Sequence, residues 1–386
     1  MNIAITGLGA ISACGSNIKE TLQSFSLIQR NAHPVTLFKS DLKCPVFQVK
    51  DQKIYDPGAM RTLNLSLKAV EEAVSQAVIH DFSGYRVGVC IGTTVASQLN
   101  DIDFYSIYRK KGEANLDSVD KFLKGNLAER IADNLNIRTN LLCTIVNACS
   151  SGTDAIGVGL SWLRNNYCDI VIAGGADELN RVPLDGFGSL GIVSDNLCAP
   201  FDRNRAGLNL GEGAGILILE REDFARKRGI APELFLKGYG LNADAYHLTA
   251  PRPDGSGLKN AIIRALKEAD IGLEKIDFVN AHGTATRDND KVEGKTLKEV
   301  FGEKLRFLST KGFTGHTLGA AGALEAVFTC LGLREGWIPA SPGFENEDSE
   351  IGISPTKERT ETKGKYALST SLAFGGNNSC LVISRN

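Results

Sequence analysis

The sequence predicts an α/β protein with parallel or mixed sheet covered by helices, and three observations carry the prediction. Short β-branched runs that are apolar throughout, rather than alternating, recur at 87–92 (VGVCIG), 141–149 (LLCTIVNAC), 169–177 (DIVIAGGAD), 215–220 (GILILE), 277–286 (DFVNAHGTAT), 306–312 (RFLSTKG) and 367–376 (ALSTSLAFGG). Such runs are the pattern of strands buried on both faces. Helical periodicity fills intervals between them, as at 258–269, 291–302 and 322–333. Finally, 386 residues with 41 glycines and 42% apolar residues suffice for two ordinary domains or one large unit.

In chain order, the first strand, NIAIT, leads into TGLGAIS (6–12), where Gly7 and Gly9 predict a tight strand-to-helix turn. A dinucleotide fingerprint does not fit, because Ser12 stands at the third glycine position and no Asp or Glu occurs from 21 to 40 to hold a ribose. Residues 98–125 lack clean periodicity and read as an excursion from the sheet. Two strand ends look alike, NAC at 147–149 and NAHGT at 280–284, each presenting a reactive side chain beside small residues. This suggests a duplicated α/β unit with a seam near the charged turn 223–232, giving halves 1–228 and 229–386.

Composition narrows the function classes. With 43 Lys and Arg against 45 Asp and Glu, the net charge of −2 gives no global field for nucleic acid or an anionic membrane. No apolar run approaches the roughly 20 residues of a membrane span, and MNIAITGLGAIS lacks the basic start and long apolar stretch of a signal peptide, so a cytoplasmic protein is expected. Nine cysteines with no C-x-x-C suggest neither a disulfide framework nor structural zinc. Most are expected to be reduced core residues.

Cys149 is the exception. VNACSSGTDAIGVGL (146–160) sets it between a buried strand and the first turn of an apolar helix, where backbone N–H groups and the macrodipole are expected to favour thiolate. Of five histidines, His282 directly follows a strand and His316 sits in STKGFTGHTLGAAGALEA (309–326) before a glycine-rich helix start. Two such histidines plus a cysteine point to catalysis more than to packing. A metal centre is disfavoured, since H-E-x-x-H spacing is missing and the surroundings are small and apolar. Lys311 and Glu325 lie in segments read as buried, either as a structural ion pair or as a pair orienting the histidines. SLAFGGNN (371–378) is either a plain turn or a gate in which Phe374 moves and lends its N–H to an oxyanion hole.

Together NACSSG, HGTAT, STKGFTGHTLGAAGALEA, PFDRNRAGLNLGEGAG and AFGGNN resemble the condensing enzymes of the β-ketoacyl-acyl carrier protein synthase I/II type, over almost the whole chain. The resemblance implies the thiolase fold, two similar α/β halves in five layers (α-β-α-β-α), and a dimer of identical or related ketosynthase-like chains. It implies decarboxylative condensation of an enzyme-bound acyl group with malonyl-carrier. Cys149 is then the nucleophile, His282 and His316 the decarboxylation pair, Lys311 and Glu325 their supports, and the Cys149 and Phe374 N–H groups the oxyanion hole. Thr284 and Thr286 match positions touching the phosphopantetheine arm, and Val95 one lining the acyl pocket. No cofactor or metal is implied on the chain itself; the arm arrives on an acyl carrier protein. Arg61, Lys121, Lys124 and Arg205 are the basic residues expected near the entrance. Arg287 after HGTAT in place of the usual proline, and GGNN for the commoner GGTN, look more like type II polyketide ketosynthases of aryl polyene or flexirubin-like systems. A chain-length-factor-like, non-catalytic partner of the same fold is the alternative, and it characteristically lacks the cysteine present here.

Overall fold

The computed structural model describes residues 1–51, 54, 60–96, 99–117, 119 and 126–386. Ten strands form its main sheet: β1 (Ile3–Ser12), β2 (Val87–Gly92), β3 (Leu142–Ile145), β4 (Ile170–Asp177), β5 (Gly213–Arg221), β6 (Leu234–Ala243), β7 (Ile276–Asn280), β8 (Arg306–Leu308), β9 (Tyr366–Ala373) and β10 (Asn377–Arg385). Their spatial order is β3-β2-β4-β5-β1 followed by β6-β10-β9-β7-β8. Shifting each number in the first set by five gives the second set read backwards. The pairing directions repeat too: β2 is parallel to β3 and β4, β7 is parallel to β8 and β9, and β5 and β10 run antiparallel to both neighbours. A short antiparallel contact, Ile3–Ile5 on Leu234–Leu236, joins the two sets.

Helices complete five layers. Helices α1 (Arg61–Gln76) and α2 (Leu127–Asn134) cover the outer face of the first set, α4 (Ser256–Ala269) covers that of the second, and α5 (Arg287–Phe301) packs on α4. Between the sets lie α3 (Ser151–Arg164) and α6 (Ala321–Glu335), which touch each other and strands of both. Most of α3 and nearly every residue of α6 are buried, which is why both read as largely apolar. The thiolase-type α-β-α-β-α architecture is therefore present.

Two expectations are corrected here, and the stretch read as an excursion from the sheet is located in its described part. Gly7 and Gly9 do not turn the chain; β1 runs straight through them, and each lets α1 approach. A Cβ on Gly7 would lie 2.0 Å from the Ala73 carbonyl oxygen, and one on Gly9 1.9 Å from that of Ala69. The second set repeats the device in β6, where a Cβ on Gly238 or Gly240 would lie 2.2 or 2.0 Å from the Ala265 or Ala261 carbonyl oxygen of α4. The glycines thus serve helix-on-strand packing. Residues 99–111 form a helix that lies outside the main sheet; its Tyr105, Ile107 and Tyr108 are exposed, so no apolar stripe marks it. Finally, the similar strand ends are not equivalent: Cys149 follows β3, the third strand of its set, whereas His282 follows β7, the second of its own. The counterpart of Cys149 is His316, which precedes α6 as Cys149 precedes α3.

Gly9→Ala should therefore lose about 3 kcal/mol of stability through overpacking or fail to fold. Gly186→Ala, in the helix Arg181–Ser189 with nothing within 4 Å of the new Cβ, should be neutral or stabilising by up to about 1 kcal/mol. Denaturant midpoints of the two variants measure the contrast.

Candidate active site

Residues 147–151 make a sharp elbow. Ala148 adopts a left-handed φ of 50°, Asn147 N–H donates to Ser151 Oγ at 2.8 Å, and Ser151 Oγ donates to the Ala148 carbonyl at 2.6 Å. A non-glycine residue held there costs on the order of 1–2 kcal/mol, stored next to the Cys149 thiol. Left-handed backbone recurs beside the other two reactive groups, at Ala285 (φ 66°) and Leu318 (φ 52°). Small residues let α3 and α6 meet: a Cβ on Gly152 would lie 2.8 Å from the Ala323 side chain, and one on Gly322 2.0 Å from Thr153 Oγ1. This crossing draws Cys149 and His316 together.

One ligand-capable atom each of Cys149, His282 and His316 lies within 4.8 Å of the others, and the imidazoles meet edge to face at 5.2 Å. Lys311, 2% exposed, donates to His282 Nδ1 at 2.9 Å, to the His282 carbonyl at 2.5 Å and to Glu325 Oε1. Leu318 N–H donates to His316 Nδ1 at 3.2 Å. Since both Nδ1 atoms accept, both neutral rings carry their proton on Nε2. Burial, reinforced by the Lys311 charge, holds both histidines well below their usual range. A metal does not suit this donor set: ligation through Nε2 would require a proton on His282 Nδ1, directly against the Lys311 ammonium.

Burial pushes Glu325 up to about 7 against the pull of Lys311. Its Oε2 has no hydrogen-bond partner among the described residues and lies 3.9 Å from His282 Nδ1. The expectation for Cys149 is corrected: burial outweighs the Lys311 charge and the Phe374 N–H directed at its sulfur, and raises the thiol to about 11. The sulfur also sits before the Ser150 cap rather than within the first turn of α3. Conversely, the half-buried Cys143, expected to be inert, is pulled down to about 6 by a hydrogen bond from Cys90 across the β2–β3 pair.

Cys149, His282, His316, Thr284, Thr286 and Phe374 line a single cavity of about 460 Å³. Thr284 and Thr286 share a hydroxyl hydrogen bond of 2.9 Å. Half-buried Phe374 packs against Phe187 at 5.4 Å with the rings tilted by 49°, and Gly375 and Gly376 after it take φ of 85° and 77°. Val95 does not line this cavity; it lies behind Phe187, Ile192 and Leu208, which do.

The sequence reading missed the carboxylates that hold the loops. Asp177 accepts from Thr93 and Thr94 hydroxyls and from Thr94, Val95 and Gly319 N–H. Glu293 accepts from His282 N–H at 2.7 Å and Gly283 N–H at 2.8 Å, and burial raises it to about 7. A lone acid ending an apolar run, as in IVIAGGAD, was the available signal. Two expected entrance residues are instead buried braces: Arg61 grips Glu212 at 2.6 and 2.8 Å, and Arg205 grips Asp348 at 2.6 Å. Lys121 and Lys124 lie outside the described residues.

Residues 59–225 match the family model for the beta-ketoacyl synthase N-terminal domain, and 235–345 that for its C-terminal domain. The chain is 31% identical to 3-oxoacyl-acyl-carrier-protein synthase 2 of Coxiella burnetii, covering 99% of this chain and 98% of that one. Among solved structures it is similar to the ishigamide ketosynthase/chain length factor, with a TM-score of 0.92 and 29% identity over 100% of this chain and 99% of that chain. It is also similar to a ketosynthase in complex with its chain length factor from Xenorhabdus doucetiae, with a TM-score of 0.88 and 29% identity over 100% and 98% of the two chains. A buried thiol facing two N–H-donating histidines, on a duplicated five-layer fold matched by these models and relatives, places the chain in the β-ketoacyl synthase family.

Proposed function

We propose that this chain is a β-ketoacyl-acyl carrier protein synthase that condenses an enzyme-bound acyl group with malonyl-carrier in fatty acid or type II polyketide synthesis. The observation that carries the reading is the pair of neutral imidazoles whose Nε2–H donors share one cavity with Cys149. Cys149 gives up its thiol proton to water, Sγ attacks the carrier thioester, and C–S cleavage expels the carrier thiolate, which takes a proton back from water and departs as the thiol, leaving acyl-Cys149. Malonyl-carrier then loses CO₂, and its enolate oxygen takes the His282 and His316 donors, which need no proton transfer to stabilise it. The enolate carbon bonds to the acyl carbon, the Cys149 and Phe374 N–H groups hold the tetrahedral oxyanion, and C–S cleavage frees the cysteine. Lys311 and Glu325 act through His282, as positioning residues, while Thr284 and Thr286 hold the arm. Val95 shapes the acyl pocket through Phe187 and Ile192.

The chain works with an acyl carrier protein, as a homodimer or beside a related chain; its similarity to ketosynthases solved with chain length factors supports the second arrangement, and Arg287 and the GGNN turn support a type II polyketide branch of aryl polyene-like kind. The cytoplasm suits nine unpaired thiols, and the seam of the two halves falls at 228/229. A non-catalytic chain-length-factor role is disfavoured by the nucleophile itself.

Two measurements test the reading. Because burial raises the Cys149 thiol above its ordinary value, thiolate appears only as pH rises toward about 11. Iodoacetamide inactivation should thus climb about tenfold per pH unit between about pH 7 and about pH 9. Mass mapping should find Cys143 labelled as well at neutral pH, yet loss of activity should track Cys149 alone, and Cys149→Ala should be inactive. An active Cys149→Ala sinks the assignment, whereas a plateau near neutrality overturns only the raised thiol. His282→Ala and His316→Ala should each slow condensation by on the order of 10² or more while intact mass still shows acyl-enzyme. Loss of acylation in both variants would make a histidine the base for Cys149 instead.

A further inference from the structure

We propose that Arg287 is the phosphate-recognising residue of the cavity mouth, binding the phosphodiester of the phosphopantetheine thioester that the site takes. This deepens the function proposed above and rests on it. Arg287 is the sole cationic side chain lining the cavity among the described residues, and it adjoins Thr286 at the start of α5. It is exposed, and no described carboxylate pairs with its guanidinium, in contrast to Arg61 and Arg205. Its neighbour Asp288 also lines the cavity but forms no ion pair with Arg287 among the described residues, and Lys291, one turn along α5, pairs with Glu350 at 2.6 Å. Asp244, the other acid on the cavity wall, is occupied by Arg252 N–H at 2.9 Å and Asn378 Nδ2 at 2.8 Å.

The backbone beneath Arg287 is fixed. Arg205, itself anchored on Asp348, donates to the Arg287 carbonyl at 3.0 Å and to the Thr286 carbonyl at 3.4 Å. A pinned main chain carrying a free guanidinium fork suits bidentate contact with a phosphate diester, which offers two anionic oxygens. Exposure rises in order along these residues: Cys149, the histidines and Thr284 are buried, Thr286 is half-buried and Arg287 is exposed. A pantetheine thioester has the same sequence of thioester, amides and phosphate, so its phosphate would meet Arg287 as its amides pass the threonines. Free and carrier-bound arms share this chemistry.

The test compares malonyl-phosphopantetheine with malonyl-pantetheine, which lacks the phosphate, and with malonyl-carrier, using the full chain with acyl-Cys149 preformed. Wild type should favour the phosphorylated small substrate in KM by about fivefold, an advantage that shrinks with added salt. In Arg287→Ala the phosphorylated and unphosphorylated substrates should converge, and Arg287→Lys should restore part of the gap. A matching rise in KM for malonyl-carrier identifies the carrier-borne arm as the source; a rise confined to the small substrate assigns the site to free phosphopantetheine thioesters. An undiminished preference in Arg287→Ala, with an unchanged melting temperature, overturns the proposal. Wild type that condenses none of the three substrates refutes the underlying function instead.

Discussion

The Lys311 ammonium is the interaction on which the site depends. Taking it out of water costs several kcal/mol, and that cost is offset only if every donor finds an acceptor. It has three donors, and Glu325, His282 Nδ1 and the His282 carbonyl are three acceptors. From that closure the rest follows. The His282 proton is fixed on Nε2, burial holds both histidines neutral with the Lys311 charge reinforcing it, and the Cys149 thiol is held lower than burial alone would leave it. Both readings of the pair in the sequence, structural and orienting, describe one arrangement.

Buried carboxylates apply the same logic to the main chain. Asp177 ties the loop after β2 to Gly319, next to the start of α6; Glu293 and Asp290 on α5 hold the loop after His282; and Glu212 joins Arg61, Val49 N–H and Leu179 N–H. Each is an acid whose desolvation is compensated by several N–H or O–H donors. Loops anchored this way have little freedom, which lets strained residues such as Ala148 and Leu318 persist beside the reactive groups.

The buried strands were legible because parallel sheets covered on both sides leave uninterrupted apolar runs, and Cys149, His282 and His316 stood out as reactive types at their ends. Other features depend on partners remote in sequence. Arg61 meets Glu212 across 151 positions and Arg205 meets Asp348 across 143, so neither could be told from an exposed entrance cation. The β6 strand was hidden by Gly238 and Gly240, whose role appears only against α4. The raised Cys149 thiol was missed because a helix start argues for thiolate, whereas the depth of burial, which argues against it and wins, is a tertiary property. The lowered Cys143 likewise needs β2 beside β3.

Duplication explains why the chemistry sits where it does. Helices α3 and α6 hold the same place in their respective sets, and each begins just after its third strand, so their crossing brings one loop from each half to a common point. The first half supplies there the Cys149 thiol on a strained elbow; the second supplies His316, and from its neighbouring strand His282. The cavity is accordingly lined from both halves, by Cys149, Phe187 and Leu208 on one side and by His282, His316 and Phe374 on the other. Neither half contains a thiol facing a pair of imidazole donors. Divergence at one pair of equivalent loops, on a backbone repeat that keeps its glycine pairs Gly7/Gly9 and Gly238/Gly240 for helix packing, therefore turns a symmetric scaffold into an asymmetric site.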